Sequence, residues 1–442
     1  MKKPRRLRNI GIRCVAAIIC LSFVLTAGPG AVWTLKAQKK VLENGLAVIL
    51  EKDASSATTF LEIVARGGKR AEPPGKAGLA FMTSRLAVEI PDSEKVQELM
   101  KLASRFSVTA RGDYSVISIG CLSANLEPTL KILSRIILDP LFSGLRIDAV
   151  KKFMQHQSKI EQDDSVIVCH LANLQAYFGG TGYEGSIYGD EKSLEAIKSK
   201  DIKEFYSRSI IAPNMIFSVS SDLPEDSVLR MIQKYFASVP RGKPIALGPL
   251  NATFLGEKKK FVERDTKQTL VSLAYPLPRM TRQSLALFYL LENLVGKGPG
   301  SRLWPLRTEE KLAYNVNCRV TQMQEGGILE AYLETDNRKR DLALEALKKA
   351  LAGLVEKGAT VEELQVTKSL AKANFLRDNE LKAMRTDTLA SFEAMGLGID
   401  YFTELLSLVD ALSLEEVNAS LKDILDSEKA FELVIGPKGE VQ

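Results

Sequence analysis

Gly78-Leu79-Ala80-Phe81-Met82-Thr83-Ser84-Arg85 opens a helix behind a run of strands, and the rest of the chain is arranged around it. The stretch follows Gly67-Gly68 and Pro73-Pro74-Gly75, residues that interrupt regular backbone. Phe81 and Arg85, four positions apart, share one helical face, and Ser84 stands beside them. Phenylalanine has no lone pair, arginine is a permanent cation, and serine cannot hold a proton as a carboxylate does. That face therefore offers neither a metal ligand nor a general base.

Outward from this helix the pattern alternates. Residues 41–50 read as two short apolar strands around Asn44-Gly45, the strongest short hairpin signal. Residues 58–66 form a third strand. Beyond the helix, residues 93–106 carry Val96, Leu99, Met100 and Ala103 on one helical face. Strands follow at 107–111 and 114–122, and Asn125 is placed to cap a helix that Asp139-Pro140 ends. Residues 146–177 read as a long helix broken near Asp163-Asp164. A glycine-rich loop at 179–189, a helix at 199–208, a strand at 215–221 and a helix at 225–238 complete this half.

The second half repeats the plan. Strands at 259–264 and 270–275 precede a helix at 282–295, a glycine loop at 296–300, and strands at 313–322 and 327–334. Helices at 338–356, 361–377 and 380–396 and shorter ones to about 426 lead to a closing strand at 431–435. The expected fold is α+β: two duplicated domains, each a mainly antiparallel sheet packed against helices. The boundaries are 38–240 and 256–442, with a Pro- and Gly-containing linker at 241–255.

The chain has 442 residues and a net charge of +6. Seven of its 60 lysines and arginines lie in residues 1–37, which contain no acid; the remaining 53 against 54 acids leave −1. The basic balance belongs to a leader and not to a nucleic-acid surface. That leader has a cationic start to Arg13, an apolar run from Cys14 to Ala27 and small residues up to Ala37, which is the pattern of an export signal. An uncleaved anchor is the alternative, weakened by Gly28-Pro29-Gly30. The expected location is outside the cytoplasm, in the periplasm. Two of five cysteines fall in the leader; Cys121, Cys169 and Cys318 are too few and too scattered for a disulfide framework.

Four pieces in order, Leu42-Glu43-Asn44-Gly45-Leu46, Gly78-Leu79-Ala80, the glycine loop before Ala196-Ile197, and Ser301-Arg302-Leu303 with Arg307 and Leu312-Ala313-Tyr314, resemble the pitrilysin/insulinase family of zinc metallopeptidases. The resemblance covers nearly all the chain after the leader and is closest to the bacterial, processing-peptidase-like branch. It implies that the family's H-x-x-E-H zinc motif falls on Phe81, Ser84 and Arg85, so that neither histidine nor the catalytic glutamate survives. The distal glutamate ligand would fall near Glu161, and one carboxylate cannot hold zinc. The chain has two histidines, His156 and His170; on one straight helix they would lie about 21 Å apart, too far for a single ion. No zinc is expected on this chain. The family's substrate-gripping Arg and Tyr match Arg307 and Tyr314, an arginine suited to a peptide carbonyl and a phenol suited to an oxyanion. Pro305 fits there only in the first turn of a helix.

The resemblance thus implies a non-catalytic subunit of an exported heteromer. A homologous partner with an intact H-x-x-E-H would hold the zinc, and this chain would lend Arg307 and Tyr314 to grip a peptide substrate. The alternative is a pseudoenzyme serving as a scaffold or peptide-binding module. Gly296 to Gly300 lacks the spacing of a phosphate loop, and no basic and aromatic interleaving suggests nucleic acid. Beyond the leader no run is long enough for a membrane helix.

Overall fold

The computed structural model describes residues 35–89, 93–250 and 256–438. The leader up to residue 34 and the end of the linker at 251–255 lie outside the described residues. The first half runs β1 (Ala37–Val41), β2 (Ala47–Lys52), β3 (Thr58–Arg66), α1 (Leu79–Ala87), α2 (Ser93–Lys101), β4 (Arg105–Ala110), β5 (Tyr114–Leu122), α3 (Leu126–Leu138), α4 (Gly144–Asp163), α5 (Ser165–Phe178), α6 (Glu191–Ala196), α7 (Ser199–Ser209), β6 (Met215–Ser221) and α8 (Glu225–Phe236). The second runs β7 (Lys259–Glu263), β8 (Gln268–Leu277), α9 (Arg282–Val295), α10 (Trp304–Thr308), β9 (Asn315–Met323), β10 (Gly326–Asp336), α11 (Arg340–Lys357), α12 (Val361–Asp378), α13 (Lys382–Ala394), α14 (Tyr401–Ala411), α15 (Leu414–Ile424) and β11 (Phe431–Gly436).

The strands form two sheets of the same design. The first has the order β1-β2-β6-β3-β5-β4 and the second β7-β11-β8-β10-β9. In each, one parallel pair (β2 with β6, β7 with β11) is followed by antiparallel neighbours only. The strand that closes each half returns to the middle of its sheet, so β6 and β11 occupy matching places, as do β3 and β8, β5 and β10, β4 and β9. The first sheet has one extra edge strand, β1, because the Asn44-Gly45 hairpin folds it back on β2. Gly45 takes a φ of +97°, open to glycine without strain, and the Asn44 amide donates to the Phe236 and Val239 carbonyls.

One face of the first sheet packs on α3 and α8 through Val48, Leu61, Ile63, Ile117, Leu130, Leu133, Phe217 and Ile232. The other face is partly covered by a helix of the second half. Leu389, Ala390 and Phe392 of α13 share a core with Ile49, Val64, Val116 and Ile216. The exchange is reciprocal: Cys169, Leu174, Tyr177 and Phe178 of α5 pack on Leu270, Ala274, Ile328, Tyr332 and Leu433 of the second sheet. Polar contacts fix each crossing helix. Arg385 of α13 donates to Glu51 at 2.7 Å and pairs with Asp53, while Arg111 forks onto Asp387 at 2.9 and 2.8 Å. Under α5, the fully buried Glu330 accepts from Arg319 at 2.9 Å and Asn173 at 2.7 Å and lies 2.7 Å from His170. Burial pushes the Glu330 carboxyl up, but these partners outweigh it and hold it at about 2.

Two local readings need correction, and a third holds. The helix expected over 93–106 ends at Lys101, because Ala103 turns left-handed at φ +51°, and β4 takes over at Arg105. Asn125 does not cap α3 with its side chain; its amide instead donates to the Leu102 carbonyl. The break at Asp163-Asp164 is real, and Asp164 caps α5 by accepting from Val166 and Ile167. His156 and His170 consequently sit on different helices.

Candidate functional site

Helix α1 is anchored at its start. The Glu72 carboxylate accepts from the Gly78 and Ala80 amides, at 3.2 and 2.8 Å, which satisfies donors that a helix N-terminus leaves free. Burial pushes the Glu72 carboxyl up to about 8, and those two amides oppose the shift. Gly78 has a φ of +92°, and a Cβ there would press on Met154 of α4 and on the backbone at Tyr188 and Gly189. The helix therefore lies tightly against α4 and the glycine loop.

The surface where the resemblance places H-x-x-E-H is filled by rings. Phe81 is 3% exposed; it stacks on Phe153 of α4 at 6.4 Å and meets Tyr188 edge-on at 4.9 Å. Phe153 and Tyr188 also meet edge-on at 6.4 Å. Arg85 lays its guanidinium over Phe153, 6.0 Å from the ring centre, and pairs with Glu89 one turn on at 3.2 Å. Helix α4 thus presents Phe153 to both former ligand positions. Glu161 lies eight residues further along, about 12 Å at the helical rise. Its carboxylate accepts from the Ser186 hydroxyl, and burial raises its pKa. The donor set does not fit zinc: a ring, a guanidinium and a carboxylate held elsewhere cannot supply three ligands. Among the described residues no group of three His, Cys, Asp or Glu is placed to hold a metal. Phe153 and Tyr188 were not identified from the sequence, because nothing local marks two distant aromatic residues as neighbours.

The second half presents its candidates to solvent. Pro305 lies in the first turn of α10, where it costs no backbone hydrogen bond. Arg307, two residues on, is exposed and stacks its guanidinium 4.9 Å from the Trp304 ring centre; among the described residues it has no carboxylate partner. Tyr314 is 62% exposed at the threshold of β9. The loop between them is pinned from beneath. Leu312 and Ala313 are buried, the Leu312 carbonyl accepts from the Thr335 hydroxyl at 2.6 Å, and the Tyr314 amide donates to the Glu334 carbonyl at 2.9 Å. A cation at the end of α10 and a large phenol before β9 thus face outward at the two ends of a fixed loop.

A two-sheet α+β fold of this order, with an aromatic plug at the motif helix and an outward Arg and Tyr, defines a metallopeptidase-type fold without its metal chemistry. Residues 47–191 match the Insulinase (Peptidase family M16) family and residues 196–370 match the Peptidase M16 inactive domain, and the chain belongs to the M16 family. It is 23% identical over 381 residues to the Non-peptidase homolog YmxG of Helicobacter pylori, covering 85% of this chain and 88% of that protein. The Zinc protease PqqE of the same organism is 23% identical over 410 residues, 88% of this chain and 91% of the protease. The crystal structure of a peptidase M16 inactive domain from Pseudomonas fluorescens superimposes with a TM-score of 0.84 at 21% identity, over 92% of this chain and 99% of that one. Among the described residues no helix is long and apolar enough to cross a membrane.

Proposed function

We propose that this chain is an exported, non-catalytic subunit that pairs with a homologous M16 subunit carrying an intact H-x-x-E-H. Two observations carry the reading: Arg307 and Tyr314 face outward at the two ends of a pinned loop, and the ligand positions of the motif helix hold a buried ring and a guanidinium. Its part is to hold peptide substrate next to the partner's zinc. Arg307 donates charge-assisted hydrogen bonds to a substrate carbonyl, and the Tyr314 hydroxyl donates to the oxygen on which charge develops. Helicobacter pylori holds both a non-peptidase homologue and a zinc protease of similar distance from this chain, which supports a division of labour.

A second reading is a peptide-binding module or scaffold with no role in catalysis. It is favoured by the unpaired outer edge of β4, which can accept an extended segment as an added strand.

The deciding experiment purifies the mature chain alone and co-expressed with a neighbouring H-x-x-E-H homologue, and measures bound zinc and peptidase activity. A stable mixed complex in which both appear, with neither in the chain alone, supports the half-site subunit. A complex whose activity is unaffected by Arg307→Ala with Tyr314→Phe leaves the binding module. Zinc and activity in the isolated chain would sink both readings.

A further inference from the structure

The two crossing helices do not cover their sheets to the same extent. α5 packs on β11, β8 and β10, whereas α13 packs chiefly on β6 and β3, the counterparts of β11 and β8. On the second sheet the place beyond is filled. Arg319 of β9 reaches Glu330 of β10 at 2.9 Å and lies over the Tyr332 ring, 5.8 Å from its centre. On the first sheet the corresponding strand, β5, carries Ser118 and Gly120 on that face, and neither is large enough to fill the same space.

The result is a groove of about 740 Å³. Its floor is β5 from Leu122 through Gly120 to Ser118, about 13 Å at the rise of a strand. Phe60 of β3 and Ala383 of α13 line one side, and Arg105 and Ser107 of β4 the other. A Cβ on Gly120 would come within 3.1 Å of the Phe60 ring, so glycine keeps the floor low. The two ends differ. Leu122, 50% exposed, makes the outer end apolar. At the inner end Glu62 is 6% exposed; one of its carboxyl oxygens accepts from Ser118 at 2.6 Å, and the other has no partner among the described residues. Burial pushes this carboxyl up to about 8; the Ser118 hydroxyl opposes the shift, Asp387 of α13 adds to it, and Arg111 of the β4–β5 turn opposes it. At neutral pH Glu62 is therefore an acid with a proton to donate into the groove. Arg105 is exposed at the rim and has no carboxylate partner among the described residues.

We infer that this groove is a binding site for a small amphipathic carboxylate, a medium-chain fatty acid, whose chain lies along β5 over Gly120 and Leu122 and whose head group sits between the Glu62 carboxyl and Arg105. Each part of the ligand has a counterpart. Glu62 donates its proton to one head-group oxygen, and Arg105 supplies the opposite charge. Phe60, Gly120 and Leu122 meet the chain with no polar side-chain atom that its burial would leave unpaired. An amine fits less well, because the protonated Glu62 gives it no charge partner and Arg105 repels it. An alcohol forgoes Arg105. All the residues involved come from β3, β4, β5 and α13 of this chain, so the site needs no partner subunit.

The test titrates the mature chain with decanoate, decanol and decylamine by isothermal calorimetry. At about pH 7 the wild type binds one decanoate and prefers it to both other probes. Ala383→Trp fills the groove from its wall and lowers decanoate affinity at least tenfold. Gly120→Val does so from the floor, should the first variant fold poorly by thermal melt. Arg105→Ala weakens decanoate about tenfold and leaves decanol unchanged. Raising the pH from about 7 to about 9 ionises Glu62 and lowers wild-type affinity for decanoate about tenfold. Glu62→Gln keeps a neutral donor and removes that pH dependence, a result that a merely structural carboxyl would not produce. The inference is overturned if the wild type binds no decanoate, if folded groove variants bind it as the wild type does, or if decylamine is preferred. A tenfold loss with pH that persists in Glu62→Gln overturns it as well.

Discussion

The two halves share a strand order and treat equivalent surfaces in opposite ways. In the first, the outward positions of α1 are sealed: Phe81 is buried under Phe153 and Tyr188, and Arg85 lies across Phe153. In the second, Arg307 on α10 and Tyr314 before β9 are exposed at the two ends of a loop whose residues Leu312 and Ala313 are buried. A buried ring cluster is explained by stability alone. Tyr314, in solvent, and Arg307, stacked on Trp304 and without a carboxylate partner among the described residues, contribute little to stability, which leaves them free for the role proposed above. The difference separates a motif helix that is part of the core from a surface that faces outward.

The comparison breaks most readily at Phe81. Phe81→Ala should cost about 3–5 kcal/mol in chemical denaturation, the range for a buried aromatic, and change no binding property of the second half. The combined Phe81→His, Ser84→Glu, Arg85→His variant should still bind no stoichiometric zinc by metal analysis, because Phe153 stands opposite those positions and Glu161 is two turns away. Stoichiometric zinc would show that the plug is shallow. Next, Arg307→Ala and Tyr314→Phe should each lower kcat/KM of a zinc-bearing partner complex by about 100-fold, in the range for removing one transition-state donor. Each should leave the melting free energy of this chain within about 0.5 kcal/mol. A stability loss of several kcal/mol would make the second site structural too.

The carboxyls sharpen the contrast through pH. Glu62 and Glu72 are both pushed to about 8, so between about 4.5 and 8 the folded chain holds protons that the unfolded chain has released. Each therefore lowers stability as pH rises through that window, by up to about 1.4 kcal/mol per pH unit. Glu330, held at about 2, acts in the reverse sense: its contribution is complete above about 4.5 and is lost as pH falls toward 2. Denaturation midpoints measured from pH 3 to 9 should peak near pH 5, and Glu62→Gln should flatten the alkaline limb. The smallest effect is expected at Arg85, 39% exposed, which pairs with Glu89 and lies over the Phe153 ring. Arg85→Ala should cost less than about 1 kcal/mol.

Much of the fold was legible in the chain because its signals are local. β3, β6 and α9 begin and end at the residues the alternation and period indicate, and Asn44-Gly45 names its own turn. The end of α2 was not legible, since Ala103 continues the apolar period and only its backbone angle reveals the break. Residues 165–178 and 382–394 show apolar helical stretches, but no pattern says that each belongs to the other half's sheet. Amphipathicity fixes a face and not a partner. The degenerate motif could be read from residue types alone. What replaced it could not, because Phe153 and Tyr188 meet Phe81 only through the packing of α4 and the glycine loop.

The reciprocal crossing of α5 and α13 has a consequence for what counts as a unit of this protein. Each half, taken alone, would present bare the sheet face its own helix does not cover, and would carry a helix with nothing to cover. Severing the connector at 241–255 would leave two fragments that migrate as one particle, held by Glu330 under one crossing helix and Arg385 in the other. Duplication supplied two copies of a plan; the exchange of helices made them a single indivisible body.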